Sequence, residues 1–441
     1  MRLFVALLTG CAFAAAPAAA QTTLSDALVT AYRSNPTLAA DREGLKILDE
    51  DVASARAAGR PTLVAEGNLT HSALDVDGTG GIVGARLTQP VFRGGRIRNS
   101  IAASDANVEA GRQSLRQSEA DVFLAVIDSY SAVLRDEQIV RLNAAQVTTL
   151  GEIRAAEQRR LDLGERTRTD VAQADARLST LLANVTTAER RLEESRTRFR
   201  ELTGLAPDGL APLPALPSLP GSMDDAMAAA WSENPRILQA RAAEKVASYQ
   251  IRVAEGGLLP TVDASASVNR RDEIVQILGR RLSQDLATFQ MVVTVPIFQG
   301  GAEYAAVRRA KHTRALRMRE IDEATNEVTR DVAVAWKRLE TARAAVSALG
   351  EAVSANDRAV AGVRREAGVG SRTTLDLLDA ERELRDAQVS LLAARHDAYV
   401  AGYRLLAAIG RLSVERLGLP TDAYDPDEHY RRSAGRWVGM R

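Results

Sequence analysis

The most constraining feature of this sequence is that it contains two copies of one unit. Self-similarity over a long stretch indicates duplication of a supersecondary unit. We therefore expect two equivalent structures, over residues 21–204 and 223–411. Matching positions lie either 199 or 206 residues apart: Pro36 and Pro235, Pro61 and Pro260, and the segments Gln89–Gly95 and Val295–Gly301.

Each copy carries a glycine-bearing turn between two helical runs. In the second copy Gly370 can end a helix, because glycine adopts the left-handed conformation at little cost. Thr373 precedes Asp376 by three residues, the spacing of an N-cap hydroxyl and an N3 acid. We predict a helical hairpin with its tip over residues 368–373. Asp376 and Asp379 then lie on one face of the helix that begins there.

The first copy has the same turn over residues 162–169, and long proline-free tracts flank both turns. The matched residues are Gly164 and Gly370, Thr167 and Thr373, Asp170 and Asp376, and Asp175 and Glu381. We predict helices over about 96–161 and 170–203 in the first copy, and over about 302–367 and 374–409 in the second.

The longer helical arms show a seven-residue apolar repeat. The repeated positions are Val126, Val133, Val140 and Val147 in the first copy, and Val332, Leu339, Val346, Val353 and Val360 in the second. A second stripe, Phe123, Ile127, Tyr130 and Leu134, runs beside the first. This period indicates helices that pack along a coiled-coil seam. Both a ring of helices and a simple coiled-coil rod fit the pattern.

Alternating apolar and polar residues predict a strand hairpin in each copy, over about 61–91 and 260–298. The expected loops are Asp75–Gly81 and a segment near Arg271–Asp285. Runs of about ten residues match strands that cross an outer membrane. Two hairpins cannot close a barrel, and lipid does not tolerate open sheet edges. If these strands span a membrane, several chains must share the barrel; the alternative is the edge of a soluble sandwich.

The ends and the centre of the chain differ from the two copies. Residues 1–20 have the charged start, apolar core and small-residue end of a signal peptide. Cys11, the only cysteine, lies in a segment that has the shape of a lipoprotein cleavage site. Residues 205–222 read as a proline-rich linker. The polar tail, residues 412–441, is expected to be loose after Pro420.

Charge and motif content exclude several functions. The 57 basic and 57 acidic residues give no net charge, which argues against binding of nucleic acid. The four histidines show no metal-ligand spacing. No nucleophile elbow, phosphate loop or dinucleotide fingerprint occurs. We therefore expect neither catalysis nor a cofactor or metal.

Three segments carry a resemblance to one family. They are Ser34–Pro36, the segment Gln89–Gly95 with its second copy, and Val369–Asp379. With the duplication and the signal peptide, they resemble the TolC-like outer-membrane efflux proteins of Gram-negative bacteria over about residues 24–411. The resemblance implies a mainly α fold with transmembrane β structure. It implies a homotrimer in which tandem-duplicated helical hairpins form an α-barrel tunnel and each chain gives four strands to a shared 12-stranded β-barrel.

The resemblance also implies a function. Such proteins are passive exit ducts of the outer membrane with a long periplasmic extension. They dock through a periplasmic adaptor, or membrane fusion protein, onto an inner-membrane pump of the ABC or RND type. The opening Ala31–Pro36 is similar to the type I secretion branch. The alternative from another class is a periplasmic coiled-coil adaptor, which the duplication and the amphipathic hairpins disfavour.

The resemblance assigns roles to the two tips. Asp376 and Asp379 would form the pore constriction, and Arg372 would pair with Asp170 in a gate salt bridge. The turns at Gly164 and Glu165 and at Gly370 and Ser371 would be the adaptor-docking tips. Ala367 departs from the family, whose best-known gate has a tyrosine there, so that the lock should be weaker or use Glu366 or Arg168. Ordinary helix capping is the other explanation for all these acids and glycines.

Overall fold

The computed structural model describes residues 21–72, 78–165, 167–275 and 280–439. The predicted signal peptide, with Cys11, lies outside these ranges. Among the described residues the α-helices are α1 (Leu24–Ser34), α2 (Pro36–Ala57), α3 (Arg96–Asp162), α4 (Arg168–Thr203), α5 (Met223–Glu233), α6 (Pro235–Glu255), α7 (Ala302–Gly368), α8 (Thr374–Ala408), α9 (Val414–Leu417) and α10 (Asp427–Ser433). The strands are β1 (Thr62–Ser72), β2 (Gly78–Arg93), β3 (Thr261–Val275) and β4 (Arg280–Thr294).

The two long helices, α3 and α7, have the same length of 67 residues. At 1.5 Å per residue each is about 100 Å long. The seven-residue stripe is buried over part of its length in both helices: Val126, Val133 and Val332 are fully inaccessible, and Leu339 and Val360 are nearly so, while the other stripe residues are partly buried. The same sequence period therefore gives a buried seam in both copies.

An Asn-Pro step separates the first two helices of each copy. Asn35 and Asn234 have the same extended backbone, with φ of −67° and ψ of 125°. A residue that precedes proline is pushed out of the helical region, so that α1 and α5 end there. Asn35 Nδ2 donates to Leu202 O over 3.5 Å, and Asn234 Nδ2 donates to Ala408 O over 2.8 Å. The duplication thus extends to matched tertiary hydrogen bonds.

The four strands form one antiparallel sheet in the order β1-β2-β3-β4. One face carries apolar side chains in register: Leu63, Ala65, Leu69, Val83, Ala85, Leu87, Val262, Ala264, Ala266, Val268, Ala287, Phe289, Met291 and Val293. The other face carries Glu66, Asn68, Thr70, Arg86, Asp263, Ser265, Ser267, Thr288 and Gln290. Many of the apolar side chains are exposed; Phe289, for example, is 75% exposed.

The strands fit the predicted hairpin ranges, but they extend into the residues that were expected to be loops. β2 begins at Gly78, inside the expected loop Asp75–Gly81, and residues 73–77 lie outside the described ranges. The expected loop near Arg271–Asp285 contains the connection between β3 and β4 but is too long, because Arg271 pairs with Gln284 and β3 continues to Val275. Backbone ladders do not require apolar side chains, so that pairing continues past the alternating stretch.

Strand gives way to helix at a pair of glycines in each copy. Gly94 and Gly95 have φ of 61° and 75°, and Gly300 and Gly301 have φ of 67° and 85°. A Cβ on Gly94 would lie 2.3 Å from Gly256 O, which no side chain could tolerate. Both conformation and close backbone approach therefore require glycine at position 94.

The C-terminal tail is not loose, so this expectation was wrong. Residues Asp427–Ser433 form α10, whose Tyr430 hydroxyl donates to Asp105 Oδ1 over 2.8 Å. His429 Nδ1 lies 3.0 Å from Oδ2 of Asp49, a residue of α2 that is 1% exposed. The tail is polar because it bonds to charged groups on α2 and α3, which its sequence alone does not reveal.

The chain divides into two compact units. One comprises residues up to Asn35, Phe123–Pro217 and Glu340–Gly402, and it contains both glycine-bearing tips. The other comprises Pro36–Val122, Ser218–Leu339 and Tyr403–Arg441, and it contains the sheet and α10. No helix among the described residues is both long and apolar enough to cross a membrane.

Candidate functional site: the two hairpin tips

The two turns have the same backbone geometry. Gly164 and Gly370 have φ of 79° and 81°. Glu165 N donates to Arg160 O over 2.9 Å, and Ser371 N donates to Glu366 O over the same distance. These 6→1 bonds, with a left-handed glycine, are Schellman endings that satisfy the last carbonyls of α3 and α7.

Both new helices begin with a capping box. Thr167 N donates to Asp170 Oδ2 over 3.0 Å, and Thr373 N donates to Asp376 Oδ2 over 3.0 Å. In each pair the threonine hydroxyl accepts from the aspartate N–H in return. The Thr373 backbone N–H, and next its hydroxyl, lower the pKa of Asp376 below its ordinary value. Asp376 is therefore a carboxylate at neutral pH.

Leu378, between the two predicted constriction residues, anchors this part of α8. It is 3% exposed and packs in a cluster with Leu150 of α3 and Ala174 and Leu181 of α4. The cluster joins the second hairpin to the first within one chain. Since Leu378 points into this core, the orientation of Asp376 and Asp379 is set by packing.

Asp379 has a partner that the sequence did not suggest. Arg177 Nη2 donates to Asp379 Oδ1 over 2.8 Å, and both side chains are partly exposed. Arg177 lies on α4 and Asp379 on α8, so that this ion pair links the two hairpins. The only signal in the sequence is that Arg177 follows Asp170 by one seven-residue repeat.

Glu381, two residues further along α8, is a second residue whose role was missed. Its carboxylate is 4% exposed and accepts from two other helices. Gln146 Nε2 of α3 donates over 3.1 Å, and Arg364 Nη2 of α7 donates over 2.5 Å. The equivalent Asp175 in the first copy accepts from Arg154 Nε over 2.9 Å. A buried carboxylate with two donors holds three helices together just behind the tip.

Arg372 is paired within its own tip. Its Nε donates to Glu366 Oε2 over 3.0 Å, and both side chains are about half exposed. Glu366 was named as an alternative partner because Ala367 replaces the tyrosine of the family. The Arg372–Asp170 pair stays a prediction, and Asp170 Oδ2 accepts from Thr167 in its capping box.

The predicted docking turns also present apolar side chains. Leu163 and Val369, each just before the left-handed glycine, are 75% and 82% exposed. Glu165 and Ser371, just after it, are exposed as well. Each turn therefore offers one apolar and one polar group at matching positions. Within the described residues, no group of three or more His, Cys, Asp or Glu side chains could hold a metal ion.

Comparison with known proteins identifies the family. The profile of the outer membrane efflux protein family matches residues 27–205 and 227–411, one segment in each copy. The chain belongs to the outer membrane efflux protein family. The matched segments cover both tips, and they leave out the predicted signal peptide, most of the linker and the tail.

Relatives of this outer membrane efflux protein support the assignment. It is 36% identical to the outer membrane efflux protein BepC of Brucella suis biovar 1 over 427 residues, which cover 96% of this chain and 93% of BepC. It is 26% identical to the alkaline protease secretion protein AprF of Pseudomonas aeruginosa, over 76% of this chain and 70% of AprF.

A solved structure shares the fold. The outer membrane protein VceC of Vibrio cholerae superposes with a TM-score of 0.75 at 17% identity, over 88% of this chain and 96% of VceC. The predicted fold class, family, function as an outer-membrane channel and outer-membrane location are confirmed. The comparisons favour the channel over the periplasmic adaptor. This family and these relatives are channel proteins rather than enzymes.

Proposed function

We propose that this efflux protein is the passive, trimeric exit duct of a tripartite export system. The observation that carries the proposal is the sheet. Its apolar face is exposed, and β1 and β4 are its edges in the single chain. Open edges are not tolerated in lipid. Three copies, with four strands each, would pair these edges in one closed barrel of even strand number.

The constriction of the duct is formed by the second tip of each of the three chains. Asp376 and Asp379 lie on the side of α8 that does not enter the Leu378 core. Three chains then surround the axis with six carboxylates. A ring of carboxylates attracts cations and binds multivalent ones tightly. The lowered pKa of Asp376 keeps its charge in place at neutral pH.

The closed state is held by ion pairs at the tips. Arg177–Asp379 joins the two hairpins of one chain, and Arg372 is the second latch. Arg372 acts as a latch where it pairs with Asp170 of the first tip, whereas its pair with Glu366 in the single chain lies within one tip and braces the turn. Partly exposed pairs are individually weak, so that the latch depends on their sum over three chains. Opening then needs only a modest input from a partner.

The partner docks at the matched turns. Leu163 and Val369 supply apolar contacts, and Gly164, Glu165, Gly370 and Ser371 supply backbone and polar groups. The partner is a periplasmic adaptor that couples the duct to an inner-membrane pump, of the ABC or RND type. The duct itself catalyses no reaction. BepC is named as an efflux protein and AprF as a protease secretion protein. The similarity of the segment Ala31–Pro36 to the type I secretion branch favours secretion.

The test is block of ion current by a trivalent cation, such as hexamminecobalt(III), in planar bilayers. The double variant Asp376→Ala, Asp379→Ala should lose block, because the binding ring is gone. Asp26→Ala is the matched control: Asp26 closes the same type of capping box with Thr23 on α1. It should keep block at the wild-type concentration. Unchanged block in the double variant would remove both residues from the constriction.

A further inference from the structure

The end of the tail presents apolar side chains to the surroundings. Trp437 is 68% exposed and Val438 is 89% exposed. Trp437 is the most exposed of the three tryptophans of the chain, since Trp231 is 47% exposed and Trp336 is only partly exposed. These two residues are not needed for the packing of α10, which takes place through Tyr430 and Ala434.

Two arginines at the end of α2 hold this segment in place. Arg56 Nη1 donates to Ala434 O over 3.0 Å, and Arg56 Nη2 donates to the Tyr430 hydroxyl over 3.1 Å. Arg60 donates to the carbonyl oxygens of Arg436 and Gly435. The Arg60 guanidinium also lies 4.9 Å from the centroid of the Trp437 ring. The position of Trp437 is therefore tied to Arg60.

Arg60 lies where the helices join the sheet. It precedes β1 by one residue, Pro61, and Gly59 O accepts from Gln89 Nε2 of β2 over 3.0 Å. This helical end of the sheet is opposite to the end that carries the β1–β2 and β3–β4 hairpin connections. In an outer-membrane protein with a periplasmic helical tunnel, the helical side of the sheet is the periplasmic side.

At this helical end of the sheet, the last residue of the apolar face on β2 is aromatic. Phe92 pairs with Val262, which pairs with Val293, so that the three share the apolar face. Phe92 is 46% exposed. Membrane barrels carry aromatic girdles at both interfaces, where ring systems lie at headgroup level. Trp437 and the adjacent Arg60 side chain combine an aromatic ring and a basic group, the two side-chain types that favour a membrane interface.

We propose that the C-terminal segment Arg436–Gly439 is an interfacial anchor that places Trp437 among the phospholipids of the periplasmic leaflet. Trp437 extends the aromatic girdle with a residue that lies outside both copies of the duplicated unit. Arg60 and Arg436 face lipid phosphates, and Trp437 and Val438 enter the boundary between headgroups and acyl chains.

Tryptophan fluorescence tests this anchor. The variant Trp231→Phe, Trp336→Phe keeps only Trp437, and the variant Trp336→Phe, Trp437→Phe keeps only Trp231 as a matched control. Trp231 lies on α5, is 47% exposed and donates to Thr329. Both proteins are reconstituted in phosphatidylethanolamine–phosphatidylglycerol vesicles, with and without lipids brominated near the headgroup end of their acyl chains. Circular dichroism checks that each variant is folded.

Brominated lipid should quench Trp437 roughly twofold and leave Trp231 unchanged, since only an interfacial ring meets the bromine atoms. Adding Arg60→Ala to the Trp437 protein should weaken this quenching, because the segment is released. Quenching of Trp437 by aqueous iodide alone would overturn the proposal. Protection from both quenchers would overturn it as well, and would indicate that another copy of the chain covers Trp437.

Discussion

Arg177 and Asp379 join the two helical hairpins of one chain by an ion pair of 2.8 Å. The pair lies beside the Leu378 core and three residues from Asp376, at the tip that we assign to the constriction. It therefore has two effects: it holds α4 against α8, and it compensates the charge of one of the two carboxylates. A closed duct would present a ring that is less negative than six free aspartates.

Replacing Arg177 with glutamine should strengthen cation block. The charge of Asp379 is then uncompensated, and the trivalent cation should act at a concentration up to about fivefold lower, since such a partly exposed pair contributes at most about 1 kcal/mol. Titration of block in planar bilayers measures this. Arg177→Lys keeps the charge and should resemble the wild type. An unaltered blocking concentration in the glutamine variant would mean that Arg177 does not influence the ring.

Arg372→Ser should raise single-channel conductance, because one latch of the closed state is lost. Two further variants identify its partner. Glu366→Gln removes the carboxylate that Arg372 contacts over 3.0 Å, and Asp170→Asn neutralises the partner that the family resemblance implies. The partner of Arg372 is the residue whose replacement raises the single-channel conductance to the level of Arg372→Ser. If Arg372→Ser itself conducts like the wild type, Arg372 belongs to the turn and not to the latch.

These tips show how far sequence reasoning reaches. Gly164, Gly370 and the two capping boxes were predictable, because turn and cap chemistry depends on neighbours in sequence. The Arg177–Asp379 pair was not, because it depends on the rotation of two helices about their axes. Strand ends such as Val275 were missed because backbone pairing outlasts the apolar pattern. The fastened tail was missed because Asp49 and His429 meet only after folding.

Glu119 predicts a pH dependence of stability. Burial raises the pKa of Glu119 from an ordinary 4.5 to about 7. Between these values the folded chain binds more protons than the unfolded chain, so that this group lowers stability as pH rises through that window. Glu119→Gln should stabilise the protein at pH 8 by about 1–3 kcal/mol, and the gain should vanish near pH 4.5. Thermal unfolding in detergent at both pH values measures this.

The control for Glu119 is Glu323→Gln, at an exposed position of α7. It should change the unfolding temperature little and equally at both pH values. A Glu119→Gln variant with the same stability difference from the wild type at pH 4.5 and pH 8 would contradict the role of burial.

Tyr130 should contribute to the stability of the tip-containing unit. Its ring is fully buried, and its hydroxyl donates to Ala211 O over 2.6 Å and lies 3.0 Å from Thr22 O. Tyr130→Phe removes the donor and leaves buried carbonyl oxygens, at a cost of about 1–2 kcal/mol. Tyr249→Phe is the control, since its ring would still stack with Arg252. Equal unfolding midpoints in urea for both variants would show that the hydroxyl of Tyr130 adds nothing.

The central claim is that three chains close one conducting barrel. Its most direct test is the mass of the purified, detergent-solubilised protein by native mass spectrometry, combined with single-channel recording of the same sample. The account predicts the mass of three mature chains, each somewhat under the 47.4 kDa of the full sequence, and steady cation-selective channels in a planar bilayer. A folded monomer that conducts no ions would contradict it.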